Sequence, residues 1–379
     1  MKQTADRLLA GGFVATLFLL SLTFFLLPAG KFSELENRYL QSAPHFTWDD
    51  LISKNFANET ESYVTDHFPY RADWIWSKSF MEQLRLQQEN NGIYNGKDGY
   101  LFEKFAEPDY LAVEHYADAV NNFAQKHPDA NMTFMLVPTS IGMYPERLPW
   151  KAPFYPESDV NDFVADRTQA GNLTFMDGFD ILRPHASESI YYRTDHHWTT
   201  RGAYYAYVAY AEKMGWKPLG ENDFAITDVS DTFLGSYHTR GQFSGVKPDT
   251  IQSFVPKNAV HTEAYVADTD SKLDGLYDDS FLQKKDQYSY FLGGVHALMT
   301  LKSDLAHADL DKLLIVKDSY AHSFIPFLTQ HVKEIHVIDV RYYNGSIGDY
   351  MKENGIKEAL LLFNTATFVG NGEITKLSN

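Results

Sequence analysis

At 379 residues and 44% hydrophobic content the chain is long and apolar enough for one large globular domain or two, which excludes a disordered polymer. Lys and Arg number 33 against 50 Asp and Glu, a net charge of −17, which excludes a nucleic-acid binder working through clustered cations. There is no cysteine, so disulfide scaffolds, thiolate zinc sites and cysteine nucleophiles are excluded together.

Residues 8–30 carry no charge and are bounded by Arg7 and Lys31; the run is densest at Phe13-Val14-Ala15-Thr16-Leu17-Phe18-Leu19-Leu20 and Phe24-Phe25-Leu26-Leu27. At about 1.5 Å of helical rise per residue it crosses a hydrocarbon core of roughly 30 Å. Residues 1–30 are therefore expected to be a short tail and an uncleaved transmembrane anchor. A cleaved signal peptide is the competing reading. It needs a shorter apolar run and small residues at the cleavage site, whereas this run ends Leu27-Pro28-Ala29-Gly30-Lys31. Lys2 and Arg7 on one flank are matched by Lys31 and Arg38 on the other, so charge alone sets no orientation.

Residues 31–95 read as a stem, with Ser33-Glu34-Leu35-Glu36-Asn37-Arg38, Thr65-Asp66-His67-Phe68-Pro69-Tyr70-Arg71 and the Trp74/Trp76 pair. In residues 96–379 helical and strand patterns alternate. The 113–127 stretch has helical apolar spacing, 133–137 is a buried strand stopped by Pro138, 160–170 is a second helix and 173–176 a second strand. A strong amphipathic helix covers 199–215, closed by Gly215. Residues 216–312 hold short Tyr/Phe/Thr-rich pieces and read as a β-rich insertion, a candidate lid. Alternation then resumes with strand 313–316, helix 321–332, strand 334–340, helix 347–354 and strand 359–363. The fold class is α/β, a doubly wound parallel sheet covered on both faces.

In such sheets ligands gather at the carboxyl ends of strands, and two sequence points fall there. In Leu313-Leu314-Ile315-Val316-Lys317-Asp318-Ser319-Tyr320-Ala321-His322-Ser323 a strand runs through a polar turn into a helix. Ser319 is either a nucleophile, with the amides of Ser319 and Tyr320 receiving an oxyanion, or an N-cap. In Tyr191-Tyr192-Arg193-Thr194-Asp195-His196-His197-Trp198-Thr199-Thr200, extended backbone would put Asp195 and His197 on one face and His196 on the other. A carboxylate can then hold one imidazole nitrogen while the other reaches a nucleophile. Zinc is a second reading of Asp195-His196-His197, but His185, His238 and His322 supply no third ligand at a recognisable spacing. A structural role is a third. Arg341 follows a strand and could steady an anion, or pair with Asp339. Asp318 is expected to order its turn, and Asp66 and Arg71 to form a local pair.

The run Asp195-His196-His197-Trp198 resembles the signature of the DHHW protein family of Gram-positive bacteria. The stem motifs, Leu136-Val137-Pro138 with Tyr144-Pro145-Glu146-Arg147-Leu148-Pro149, residues 313–323, and Ile338-Asp339-Val340-Arg341-Tyr342-Tyr343 extend the likeness over most of the chain. The family is similar to the SGNH-hydrolase-like (flavodoxin-like) proteins of alginate and peptidoglycan O-acetylation. Their Asp-x-His-Trp motif falls on Asp195, His197 and Trp198, and their nucleophile on Ser319; Lys317-Asp318 replaces the small residues usual before that serine.

The resemblance implies a single-pass membrane protein with its catalytic domain extracytoplasmic. It implies an O-acyltransferase or esterase of a cell-envelope or secreted polysaccharide, partnered by a membrane-bound O-acyltransferase. Ser319, His197 and Asp195 would be catalytic, and Tyr320, Arg341, Trp198 and His196 would serve the oxyanion or the substrate. No metal or organic cofactor is called for. The alternative is a non-catalytic glycan-binding or scaffold subunit of the same system.

Overall fold

The uncharged run near the N-terminus folds as one helix, α1 (Lys2–Leu26). Its most apolar 18-residue window has a mean hydropathy of 2.2 and none of that window is buried, which is compatible with a single-pass anchor or a signal sequence. Thr16 and Thr23 donate their hydroxyls to the carbonyls of Gly12 and Leu19, so the helix carries its own polar groups without water. The computed structural model describes residues 2–27, 30–33 and 38–378. Pro28 and Ala29 at the end of the apolar run, and Glu34 to Asn37 of the stem motif, lie outside the described residues.

The chain divides into two units, Met1–Gln87 with Gln242–Ser244, and Gln88–Gly241 with Gly245–Asn379. In the first, β1 (Phe32–Ser33) pairs antiparallel with β2 (Arg38–Tyr39). Three helices follow, α2 (Trp48–Ile52), α3 (Asn55–Asp66) and α4 (Arg71–Leu84). Thr47 caps α2 by accepting from the Asp50 amide, and Asp66 accepts from the amide of Gln41.

The second unit opens with a small antiparallel sheet, β3 (Glu89–Asn90), β4 (Ile93–Asn95) and β5 (Leu101–Glu103). Then come α5 (Tyr110–Lys126), β6 (Asn131–Val137), α6 (Ser140–Met143), α7 (Glu157–Arg167), β7 (Leu173–Asp177), α8 (Gly178–Leu182) and α9 (Thr200–Lys213). The middle stretch holds β8 (Phe224–Phe233), α10 (Ser236–Gly241), β9 (Asp249–Pro256), β10 (Thr262–Val266), β11 (Ser271–Leu273) and β12 (Leu298–Ser303). It is followed by β13 (Leu310–Lys317), α11 (Ala321–Leu328), β14 (Val332–Asp339), α12 (Ile347–Glu353), β15 (Glu358–Asn364) and α13 (Thr365–Gly370).

The main sheet has eight strands in the order β11-β10-β12-β14-β13-β15-β6-β7. The block β14-β13-β15-β6-β7 is parallel, as expected from the alternating pattern. The remaining strands are antiparallel, so the sheet is mixed. They come from the 216–312 stretch, which is not a separate module: β12 pairs with β14 from Leu298↔Ile338 to Lys302↔Glu334 and so extends the sheet. Only β8 and β9 form a hairpin sheet of their own in that stretch.

Central strands read as unbroken apolar runs because both faces are covered. Leu360, Leu361, Leu362 and Phe363 of β15 are fully buried, each contributing about 1.5–3 kcal/mol by leaving water. The helix after β13 is shorter than the expected 321–332. It ends at Leu328, with Pro326 inside it and Thr329 Oγ1 donating to the Pro326 carbonyl, and Val332 already begins β14. The carboxyl ends of β6, β13, β14 and β15 thus deliver Thr139, Ser319, Arg341 and Asn364 to one rim of the sheet.

Candidate active site

The loop carrying Asp195 is a bend, not an extended strand. An isolated antiparallel bridge between Tyr191 and Trp198 closes it, and Thr199 caps α9 immediately afterwards. Asp249, at the start of β9, fixes the near arm by accepting from the Arg193 amide at 3.0 Å, the Thr194 amide at 2.8 Å and Thr194 Oγ1 at 2.7 Å. Within the bend Asp195 Oδ1 accepts from the His197 amide at 3.0 Å and meets His197 Nδ1 at 2.6 Å. The pairing expected from i, i+2 spacing is present, produced by a turn in which the carboxylate bonds its own backbone two residues on. His196 is therefore not on the opposite face: its ring centroid lies 3.7 Å from that of His197.

Across the rim, Ser319 leaves β13 through the short turn before α11. It does not cap α11; its Oγ lies 2.8 Å from His197 Nε2. A hydroxyl, an imidazole and a carboxylate therefore stand in one hydrogen-bonded chain, drawn from positions 319, 197 and 195. Asp195 and His197 are buried, whereas Ser319 is only half-buried and reachable. Such an array lets the imidazole accept a hydroxyl proton while the carboxylate orients it.

Electrostatics agree with that polarity. For Asp195, burial disfavours the anion, but His196 and His197 outweigh it and hold the carboxyl well below its usual range. Burial, then the neighbouring His196 charge, pushes His197 down to about 3 against the pull of Asp195, so the ring is neutral at rest. His196 goes the other way: burial is overcome by Asp195, and its pKa rises. About a third of its side chain is exposed, with Nδ1 2.7 Å from Ser236 Oγ.

Behind the serine, Asp318 orders the turn as expected. Its Oδ1 accepts from the Tyr320 amide at 2.9 Å, and its Oδ2 from the amide and side chain of Asn364 at 2.8 and 2.7 Å. This corrects the expected oxyanion pair, because the Tyr320 N–H is already bonded to Asp318. The Ser319 N–H meets no acceptor among the described residues. Tyr320 and Trp198 are fully buried and do not face a substrate. Trp198 Nε1 donates to the Tyr320 carbonyl at 2.9 Å and the Tyr320 hydroxyl to the His196 carbonyl, so both act as ties between the two loops.

Lys317, the departure from small residues, points into a buried cluster: its Nζ donates to Asp339 at 2.9 Å and to His322 Nε2 at 2.7 Å. Asp339 also takes the Arg341 fork at 2.8 and 2.7 Å, the alternative partner foreseen for that arginine. Against the cost of burial, Arg341 and Lys317 hold Asp339 below its usual range, while burial and then Lys317 push His322 down and keep it neutral. Arg341 and His196 nevertheless line a cleft of about 590 Å³ together with Thr139, Tyr237 and Asn364. Thr139 is anchored through its amide and hydroxyl, both at 2.7 Å, to Glu157, whose carboxyl burial raises to about 7.

Asp195, His196 and His197 bring ligand atoms within 4.8 Å of one another, as a metal site would. Both nitrogens of His197 are, however, at hydrogen-bond distance from Asp195 and Ser319, so a cation on either would have to replace one of those contacts. Sequence reasoning missed Tyr288, which stacks on His197, and Ser236, whose amide donates to Asp195 Oδ2 at 2.7 Å.

The second unit is thus an α/β protein whose mixed sheet carries a hydrogen-bonded Ser–His–Asp array at its rim. The family description "DHHW protein" matches residues 92–338, and the chain belongs to that family. A structure of a DHHW family protein from Eubacterium siraeum superposes with a TM-score of 0.66 at 25% identity, covering 77% of this chain and 96% of that one. Bacillus cereus PatB1, solved with a sulfonyl adduct, shares the fold with a TM-score of 0.63 at 18% identity, covering 74% and 97%. Among curated proteins, "Probable alginate O-acetylase AlgJ" of Pseudomonas putida is 27% identical over 209 residues, 51% of this chain and 52% of the relative, so the chain spans about half the length of that relative. Relatives from both Bacillus and Pseudomonas mean that the likeness sets no Gram-positive source.

Proposed function

We propose that this protein is a membrane-anchored, extracytoplasmic O-acyltransferase or esterase that acts, by O-acetylation, on a cell-envelope or secreted polysaccharide. Residues 1–30 anchor it, 31–95 form the stem and 96–379 carry the reaction. The observation behind the reading is the pair of contacts from His197, 2.8 Å to Ser319 Oγ and 2.6 Å to Asp195 Oδ1. The name of the Pseudomonas relative, an alginate O-acetylase, supports acyl transfer to a glycan.

In this mechanism Ser319 Oγ attacks the carbonyl carbon of an acyl ester and His197 Nε2 takes the hydroxyl proton. The Ser319 N–H and Arg341 face the oxyanion, and Asp195 stabilises the imidazolium. His197 then protonates the departing alcohol oxygen as its bond to the carbonyl carbon breaks. A sugar hydroxyl next gives its proton to His197 and attacks the acyl-serine carbonyl carbon, and His197 returns that proton to Ser319 Oγ as the bond from Oγ to the carbonyl carbon breaks; water in place of the sugar gives hydrolysis. A membrane-bound O-acyltransferase is the proposed donor of the acyl group.

Labelling of the purified full chain by a fluorophosphonate, with ester turnover measured alongside, tests the reading. Ser319→Ala is expected to abolish labelling and lower kcat by about 10⁴-fold or more. Wild-type turnover in that variant would remove the assignment. Glycan binding without labelling or turnover in the wild type would leave the scaffold role.

A further inference from the structure

The ring packed on the His197 imidazole is a residue to which the serine mechanism gives no task. Tyr288, in the Gln287–Tyr290 turn, lies 3.6 Å from the His197 centroid with the two planes 12° apart. His196 lies 3.7 Å from the same centroid, tilted by 38°. Two rings that near one centroid cannot share a face, so the imidazole is held between them. Tyr288 is itself immobilised: it is 4% exposed, with Phe291 at 5.3 Å and Tyr192 edge-on at 6.3 Å. Its hydroxyl reaches the serine's own segment, donating to the Ser319 carbonyl at 3.2 Å and lying 3.1 Å from Ser323 Oγ.

One side chain therefore touches both members of the Ser319–His197 pair, and two consequences follow. The imidazole cannot tilt its Nε2 away from Ser319 Oγ without displacing a buried aromatic ring, and misalignment of a reacting pair is costly in rate. On accepting the serine proton the ring becomes a cation lying against a π face, which attracts it in proportion to its desolvation.

We propose that Tyr288 is a positioning residue whose ring face holds the His197 imidazole on Ser319 and stabilises the imidazolium formed in the transition state. The inference rests on the serine reading above. It gives the 216–312 stretch a fixed part in the site, as the wall behind the base.

Steady-state kinetics of the full chain on a chromogenic acetyl ester test it. Tyr288→Leu removes the face and is expected to lower kcat on the order of 30-fold with KM within about twofold. Tyr288→Phe keeps the face and is expected to lose less than about fivefold. Equal losses in the two variants, or a loss confined to KM, would overturn the assignment. If Tyr288→Leu melts well below the wild type, Tyr288→Met fills the space without a π face and is read the same way. Ser319→Ala is run beside them. If it is inactive while Tyr288→Leu keeps wild-type turnover, only the tyrosine's role is lost. If it stays active, the serine reading falls and this inference falls with it.

Discussion

The Asp195 carboxylate occupies the space that a side chain on Gly235 would fill. A β-carbon at position 235 falls on the Cβ and carboxylate of Asp195, and the next amide, Ser236 N, donates to Asp195 Oδ2 at 2.7 Å. Glycine is required here by close approach, not by an unusual backbone angle. Gly235→Ala is expected to cost about 1–3 kcal/mol of stability by overpacking. It should also lower kcat on the order of 100-fold by displacing the group that orients His197. Urea denaturation and ester turnover of the variant check both numbers, and native turnover would show that the carboxylate's placement is dispensable.

The acid limb of activity is expected to lie well below the range of an ordinary histidine. The base works when neutral, and burial followed by the His196 charge lowers His197 to about 3. kcat/KM should therefore stay level from neutral pH down to about pH 5, where a free imidazole with a pKa of about 6.5 would already be protonated. His196→Gln removes a neighbouring cation that disfavours the imidazolium, so the limb should move to higher pH. Stability has a matching sign: a histidine whose folded pKa is depressed takes its proton more readily when unfolded. The contribution of His197 and His322 is complete above about pH 6.5 and lost as pH falls. Melting temperatures should drop from pH 6.5 to 4, and less steeply in a His322→Phe variant.

What could be read from the sequence was local. Asp195 and His197 lie two residues apart and Ser319 follows an apolar strand, so spacing and a strand–turn–helix pattern made them candidates beside capping, zinc and structural readings, and the resemblance to the DHHW family chose among these. The parallel block was legible for the same reason, through the apolar runs of β13 and β15. Contacts made across the chain were not. Tyr288 sits in an aperiodic stretch and meets His197 from 91 positions away, and the demand on Gly235 arises from a side chain in another loop. Tyr320 failed as an oxyanion donor because the neighbouring Asp318 side chain folds back onto its amide. Trp198 is fully buried, with its indole nitrogen tying the Asp195 loop to the Ser319 turn, which leaves it no surface to offer a substrate.

The buried Lys317–Asp339–Arg341 cluster sets an order of stabilities. Lys317 is 2% exposed and Asp339 fully buried, so neither charge has water to fall back on. Asp339→Ala leaves two cations facing one another's field and is expected to cost about 3–5 kcal/mol. Lys317→Met leaves Asp339 with the Arg341 fork and strips the donor from His322 Nε2, a loss of about 1–3 kcal/mol. Chemical denaturation of the two variants should rank them in that order; the reverse ranking would mean that the lysine, not the arginine, neutralises the carboxylate.

Anchor and orientation can be tested cleanly because the chain has no cysteine of its own. Glu107 and Asp6 are both exposed, one in the Ser319-bearing unit and the other at the start of α1. In protoplasts or spheroplasts a membrane-impermeant maleimide is expected to label Glu107→Cys, and to label Asp6→Cys only after lysis. If mass spectrometry of the mature protein finds residue 6 missing, the apolar helix is a cleaved signal and not an anchor. If Glu107→Cys also needs lysis, the globular unit faces the cytoplasm. A polysaccharide outside the membrane is then out of its reach, and an acyl group delivered across the bilayer cannot be its substrate.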